Sequence, residues 1–157
     1  MKRLMLATAT ILALYAPAAY AAEHDHSAQG GHEAGMTHSG NAAHEEVLDG
    51  VKATFTVQTM ADAMKAMGME MPKGVRETHH ISLSLKNLKS GKTLTEGDAT
   101  IKVLAPDKSE QTKGLMAMHG HFGADFVMGA KGTYGVMCKF KASDGKVRQA
   151  KFRYTVK

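Results

Sequence analysis

Two methionines and two histidines lie within six residues in the stretch GLMAMHGHFGADF, at Met116, Met118, His119 and His121. If residues 114–119 form a strand, Met116 and Met118 share one face and His119 lies on the other. Gly120 permits a bend that brings His121 round to the methionines. Thioether and imidazole groups together match the softness of Cu(I), so this stretch is a candidate copper site. The alternative is a strand with two core methionines and two surface histidines.

A second pair of histidines opens the segment THHISLSLKN, in which apolar and polar residues alternate. The alternation places His79 inward with Ile81 and His80 outward with Ser82. An inward histidine at the start of a strand is either hydrogen-bonded in the core or available as a further ligand. His79 is therefore a candidate third or fourth ligand of the copper site.

Methionine is also concentrated in the segment MADAMKAMGMEMPKG, residues 60–74. Its Ala, Met and Lys residues favour a short helix, which we expect over residues 60–67 before Gly68 and Pro72 end it. One face of that helix would carry three methionines, which can be ordinary packing. However, residues 60–73 contain no Leu or Ile, and the methionines beyond the helix follow no packing period. The segment therefore adds further candidate Cu(I) ligands, namely Met64, Met67, Met69 and Met71.

Residues 1–21 have the features of a cleaved secretory signal peptide, with a basic start, an apolar run and small residues before the cut. They predict export, and the short signal suggests a bacterial periplasm. Retention of this segment as a membrane anchor is the alternative. No later segment reaches the roughly 18 apolar residues of a membrane span, so we expect the mature protein not to cross a membrane.

Residues 22–46 contain no aromatic and almost no large apolar residue, so we expect them to form a disordered, histidine-rich tail. His26, His32, His38 and His44 recur in it every six residues. A cut after Ala21 would leave His24 at the third position. There its imidazole, the free amine and two backbone amides can hold Cu(II) or Ni(II) in a square plane. His24 and His26 are the candidate Cu(II) ligands of the tail.

The composition argues against several classes of function. The 157-residue chain has a net charge of +5, but its basic excess is spread as single lysines among the predicted strands, which does not favour nucleic-acid binding. Its one cysteine, Cys138, cannot form an internal disulfide, and its place in an alternating strand indicates a core residue. We find no nucleophile with a supporting base, so we predict that the protein is not an enzyme.

The elements that must position these side chains are predominantly strands. Period-two alternation from Val51, Ile81, Ala99, Tyr134 and Phe152 onward, with two less regular segments at about 110–118 and 121–128, predicts about seven short strands. Turn signals separate them, and Asp-Gly at residues 144–145 is typical of a hairpin. We therefore predict an all-β, immunoglobulin-like antiparallel β-sandwich over residues 47–157, with the short helix inserted after the first strand. A small open barrel is the alternative.

Over residues 76–156 the order THHISLSL, SGKTLTEGDATIKVLAPD, GLMAMHGHFGADF and KGTYGVMCKFKASDGKVRQAKFRYTV resembles a known group of proteins. It resembles the YtkA-like exported β-sandwich domains and the related copper-resistance C-type and methanotroph copper-chaperone domains. The resemblance implies an immunoglobulin-like sandwich with metal held by His and Met near one edge. By motif position it points to His79, Met116, Met118 and His121, with His80 and His119 as second choices. The methionine-rich segment 60–71 departs from that pattern.

The sequence thus predicts a periplasmic copper-binding protein, a chaperone or buffer that serves copper tolerance or delivery. Cu(I) would bind in the domain and Cu(II) at the tail, and a membrane copper transporter or a copper enzyme would be the partner. The alternative is a non-catalytic accessory module that docks on a membrane transporter or respiratory complex through its methionines.

Overall fold

The structure is a computed structural model that describes residues 42–157. In chain order its elements are β1 (Ala42–Leu48), β2 (Val51–Thr59), α1 (Met60–Ala66), β3 (His79–Asn87), β4 (Thr93–Leu94), β5 (Gly97–Leu104), β6 (Glu110–Gly114), β7 (Met116–Met118), β8 (His121–Phe126), β9 (Gly132–Ala142) and β10 (Val147–Val156). No helix among these elements is long and apolar enough to cross a bilayer.

The strands form two antiparallel sheets. The first sheet has the order β1-β2-β3-β8-β7, with β4 paired to β3, and the second has the order β10-β9-β5-β6. The inward faces of both sheets meet in one apolar core, where Phe55, Leu83, Ile101 and Val136 are almost completely buried. The predicted all-β sandwich is confirmed, because the two sheets do not close into a barrel.

The alternating segments of the sequence lie where the period-two pattern predicts. Alternate residues of β5 and β9 are buried, whereas β2 contains three consecutive buried residues and β3 contains five. The segment predicted at about 110–118 is different, because it contains two strands that belong to different sheets. The chain passes from β6 in the second sheet to β7 in the first at Leu115, whose N–H donates to the Ala99 carbonyl at 2.8 Å.

The predicted tail boundary is wrong for residues 42–46. These residues lie in β1, which pairs with β2 from Ala42 to Leu48. His44 stacks on Phe152 with ring centroids 5.0 Å apart, and Ala43 and Leu48 pack against the core. Although β1 has few large apolar residues, it is ordered by backbone pairing and by these contacts. The remainder of the predicted tail and the predicted signal peptide lie outside the described residues.

Helix α1 forms where its local sequence favours it. The Thr59 hydroxyl caps its first turn by accepting from the Asp62 N–H at 3.1 Å, and it also donates to the Asp62 carboxylate at 2.6 Å. At the other end Gly68 has a φ of +67°, and the Met69 N–H donates to the Met64 carbonyl at 2.9 Å. This is a Schellman ending, so the helix ends beside Gly68 as predicted.

Candidate metal centre

The candidate site lies on the outer face of the first sheet, where β3, β8 and β7 are neighbours. His80 is opposite Asp125 in the β3–β8 pair, and Met118 is opposite His121 in the β7–β8 pair. Met116 is opposite Gly123, two residues from His121. Because side chains two residues apart in a strand share a face, the pairing brings these side chains to one surface. We call the set His80, Met116, Met118, His121 and Asp125 the Met/His cluster.

A tight turn between β7 and β8 brings His121 to the methionines. His119 and Gly120 are the two turn residues, and their φ values of 42° and 87° are those of the mirror-image turns that suit hairpins. The predicted bend at Gly120 is therefore confirmed, and it pairs His121 with Met118. His119 itself lies at the tip of the turn and is exposed, so the structure does not bring it into the cluster.

His80 is held in one orientation by a carboxylate. Its Nδ1 lies 2.6 Å from Asp125 Oδ1, and its ring is 6.4 Å from the ring of His121. When Nδ1 carries the ring proton and donates a hydrogen bond to the Asp125 carboxylate, the lone pair of the ring is on Nε2. Metal-binding histidines commonly have such a carboxylate partner, which fixes the tautomer and makes the ring a better ligand.

Asp125 was not predicted from the sequence. It lies four residues after His121, so the two side chains share one face of β8. That spacing was visible in the sequence. Its contact with His80 depends on the register between β3 and β8, which strand patterns alone do not give.

Gly123 provides the space in which the cluster packs. A Cβ atom built on it would lie 2.7 Å from His80 Nε2 and 3.2 Å from Met118 Cε. Both atoms therefore lie directly over this glycine, so the imidazole and the thioether of the cluster are close neighbours. Gly123 has no positive φ, so its backbone conformation does not require glycine. The requirement comes from the neighbouring side chains, which leave no space for a Cβ atom.

The prediction that His79 joins these residues is wrong. His79 does face inward as predicted, and it is buried with its ring 6.1 Å from Tyr154, on the opposite face of β3 from His80. Its Nδ1 lies 2.9 Å from the Thr78 hydroxyl, and burial lowers the pKa of its imidazole. Alternation separates neighbouring residues to opposite faces, so only one of the two histidines can reach the cluster, and that one is His80.

A groove of about 530 Å³ lies beside the cluster, between α1 and β7. Met64 of the helix and Met67 at its end line one side, Met116 and Met118 line it from the strand, and His80 and Asp125 also line it. Met69 and Met71 are exposed and are not among the lining residues. Two of the four methionines predicted in segment 60–71 are therefore next to the cluster, and two are not.

Cys138 lies in the core, as predicted. It is 2% exposed on the inward face of β9, and burial raises the pKa of its thiol to about 12. A thiol that stays protonated inside the sandwich is not positioned to bind a metal on the outer face of the other sheet. The candidate Cu(II) ligands His24 and His26 lie outside the described residues.

The donor set of the cluster is mixed. Among residues 42–157 no group of three or more His, Cys, Asp or Glu side chains could hold a metal ion. The cluster instead combines two thioethers with two imidazoles, which fits a soft monovalent ion better than zinc or calcium.

No protein-family model matches this sequence, and no curated protein sequence matches it either. Solved structures do match the fold. FetP from uropathogenic E. coli strain F11 superposes with a TM-score of 0.54 over 73% of this chain and 93% of FetP, at 13% identity.

The chain has the fold of FetP. A copper-bound variant of FetP gives a TM-score of 0.55 at 14% identity, over 73% of this chain and 94% of that structure. A DUF4426 family protein from Pseudomonas aeruginosa PAO1 gives 0.53 at 12% identity, over 72% of this chain and 93% of that structure. At these identities the likeness to FetP is one of fold, so a function must be argued from the Met/His cluster.

Proposed function

We propose that this protein binds Cu(I) through the Met/His cluster and serves in the periplasm as a copper chaperone or buffer. The observation that carries the proposal is the convergence of His80 and Met118 over Gly123, with Asp125 bonded to the far side of the His80 ring. An imidazole held by a carboxylate and placed beside thioethers is a donor set suited to Cu(I). The copper-bound form of FetP, which has the same fold, supports the same metal.

In this proposal each member of the cluster has its own part. His80 and His121 provide imidazole nitrogen, Met116 and Met118 provide thioether sulfur, and Asp125 positions His80. Met116 is 68% exposed, so it is the donor that an incoming or departing ion meets first. Thioethers are weak ligands that exchange readily, which suits transfer to a membrane copper transporter or a copper enzyme. The predicted tail would bind Cu(II) through His24 and His26.

The test is a Cu(I) titration of the mature chain against a chromogenic Cu(I) chelator without oxygen. Replacement of both cluster methionines, Met116→Leu with Met118→Leu, should weaken Cu(I) binding by more than the roughly 10–100-fold lost when a residue that only orients a metal ligand is removed. Met137→Leu is the matched control, because Met137 is a half-buried methionine in β9 of the other sheet. The tail is present in every variant, so its contribution cancels.

Saturation with Cu(I) should also stabilise the fold. A ligand at a thousandfold excess over its dissociation constant adds about 4 kcal/mol to the free energy of unfolding. The rise in melting temperature should be present in the parent and in the Met137 variant and clearly smaller in the double variant at the same Cu(I) concentration. A double variant with the affinity of the parent would remove the cluster from consideration.

A docking module is the second candidate, and the exposed methionines favour it. Met67, Met69 and Met71 are 46%, 51% and 43% exposed, and methionine is common on adaptable binding surfaces. This function requires no copper in the domain. Equilibrium dialysis separates the two candidates, because only the copper-binding protein retains Cu(I) in a manner that depends on His80 and Met118.

A further inference from the structure

Helix α1 does not pack the way a core helix with methionine as filler would. Only Met60 and Ala63 of the helix are buried. Met64 is half-buried and Met67 is 46% exposed, although both lie on the same side of the helix as Met60. Methionines that merely filled gaps in the core would be covered. These two instead line the groove between α1 and β7.

The opposite wall of the groove also contains thioethers. Met116 and Met118 of β7 line it, and Met116 is the most exposed of the large apolar residues in the described part of the chain. Two charged residues that line the groove, Lys113 and Glu77, form an ion pair with each other at 3.2 Å. The groove therefore presents sulfur from two separate elements around a space of about 530 Å³.

The helix is held at both ends, so its methionines have a defined place. The Met60 N–H donates to the Thr78 carbonyl at 2.8 Å, next to the start of β3. Thr59 caps the first turn, and the Schellman bonds at Lys65 and Met64 close the last one. A seven-residue helix needs such anchors because it is too short to be stable by itself.

We propose that the groove is a second Cu(I) site, in which Met64 of α1, Met67 at the end of that helix and Met116 of β7 supply the thioether ligands. This inference rests on the proposed function and adds a second ion on the α1 side of the groove, which His80, Met116, Met118 and Asp125 of the Met/His cluster also line. Three neutral thioethers suit Cu(I) and suit zinc, calcium or magnesium poorly. Met116 belongs to the cluster and also lines the groove. When both sites are filled, Met116 binds the ion in the groove and the cluster keeps His80, Met118 and His121. When one ion is present, it can pass between the sites by exchange of its other ligands while Met116 stays bound.

The experiment compares two double variants of the mature chain that remove the same number of sulfurs from the same segment. Met64→Leu with Met67→Leu changes the groove. Met69→Leu with Met71→Leu changes exposed methionines outside it. Leucine keeps the apolar character of each position, so a purely hydrophobic role is preserved in both variants. Urea unfolding of each variant establishes that it is folded.

Cu(I) is titrated into each variant against chelators of graded strength, and X-ray absorption counts the sulfur neighbours of copper. The groove variant should lose one equivalent of Cu(I) relative to the parent and show fewer sulfur neighbours per ion. The exposed-methionine variant should match the parent. Equal uptake by the groove variant and the parent would overturn the inference, and so would an equal loss in both double variants.

A third variant distinguishes failure of the groove site from failure of Cu(I) binding by the Met/His cluster. His80→Asn with Met118→Leu removes the cluster and leaves Met64, Met67 and Met116 in place. If this variant loses Cu(I) while the groove variant does not, the cluster function stands and the second site is wrong. If none of the three variants changes Cu(I) uptake, both are wrong.

Discussion

Gly123 occupies the interior of a strand, where glycine costs about 0.5–1 kcal/mol relative to alanine. Its neighbours explain its presence, because His80 and Met118 fill the space that a side chain would need. The cluster therefore depends on a residue that has no donor atom in its side chain. Such a position requires glycine because no side chain fits there. The sequence pattern of β8 does not reveal this requirement.

Gly123→Ala should weaken Cu(I) binding by about tenfold or more, because a Cβ atom moves the His80 ring from its place beside Met118. The unfolding midpoint should change little, since the loss of packing is offset by the better strand propensity of alanine. Gly135→Ala is the control, because its Cβ would meet Leu104 at an ordinary 3.6 Å on the other sheet. Parental Cu(I) affinity in Gly123→Ala would show that His80 and Met118 do not bind one ion together.

Asp125→Asn should lower Cu(I) affinity by about 10–100-fold, because the amide is a weaker partner for His80 Nδ1 and can also present its NH₂ group to the ring. A chelator competition at neutral pH measures the change. Asp98→Asn is the control, because it removes one negative charge from an exposed position in β5. If both variants lose affinity equally, the effect is one of overall charge and not of ring orientation.

At this scale the sequence predicted part of the placement. Met116, Met118 and His121 were expected to lie together, and the β7–β8 register puts them on one face of the sheet, while their role as metal ligands stays a prediction. The expectation that His79 joins these residues is wrong, because His79 faces Tyr154 on the inward side of β3 and His80 faces Asp125 on the outer side. Asp125 and Gly123 acquire their roles only through the register of β3, β7 and β8.

At the scale of elements, period-two patterning predicted the main strands, since one face of each is buried. The change of sheet at Leu115 was not predicted, because it depends on which neighbours β6 and β7 find. β1 was missed for a similar reason. Its order comes from pairing with β2 and from contacts such as the His44–Phe152 stack, and its own composition contributes little.

One buried arginine ties two turns of the sandwich together. Arg148 of β10 is 4% exposed, and its Nε donates to the Leu48 carbonyl at the end of β1 at 3.1 Å. Its guanidinium also forms two bonds with the Asp144 carboxylate in the turn between β9 and β10. This arrangement stabilises the charged form of Asp144 and lowers the pKa of its carboxyl to about 2.

The stability of the fold should therefore fall in acid partly through Asp144. Its folded-state pKa of about 2 lies below the unfolded value of 3.8, so its contribution is fully present above that unfolded value and is lost as the pH falls toward about 2. Urea unfolding of the parent and of Asp144→Asn should show a difference in midpoint at pH 6 that shrinks toward pH 2. A difference that stays constant over this range would contradict a role for the ionised carboxylate.

At the scale of the whole molecule the two faces of the first sheet carry different residues. The inward face contributes Phe55, Leu83 and Phe126 to the core, and the outward face carries the Met/His cluster, in which His80 and His121 are buried. Cluster variants can therefore change metal binding without removing core volume. The fold is shared with FetP, whereas the Cu(I) binding proposed above depends on the methionines that line the groove beside β7.

The extent of the domain can be tested with two shortened chains. A chain that begins at Asn41 keeps all of β1, whereas a chain that begins at Val47, the boundary predicted from composition, loses Ala42–Glu46. The first should melt at the same temperature as the mature chain. The second should melt lower by about 5 °C or more, because it loses the His44–Phe152 stack, the Glu45–Lys52 ion pair and most of the β1–β2 pairing.

Cu(I) binding gives the same pair of chains a second readout. The Met/His cluster lies on β3, β7 and β8, and β2 separates β3 from β1 in the sheet. Both chains should therefore retain the Cu(I) affinity that depends on His80 and Met118, at temperatures where both are folded. Equal melting temperatures for the two chains would show that β1 adds nothing to the sandwich. Loss of that affinity in the chain from Asn41 would show that the residues before β1, and not the cluster, hold the ion.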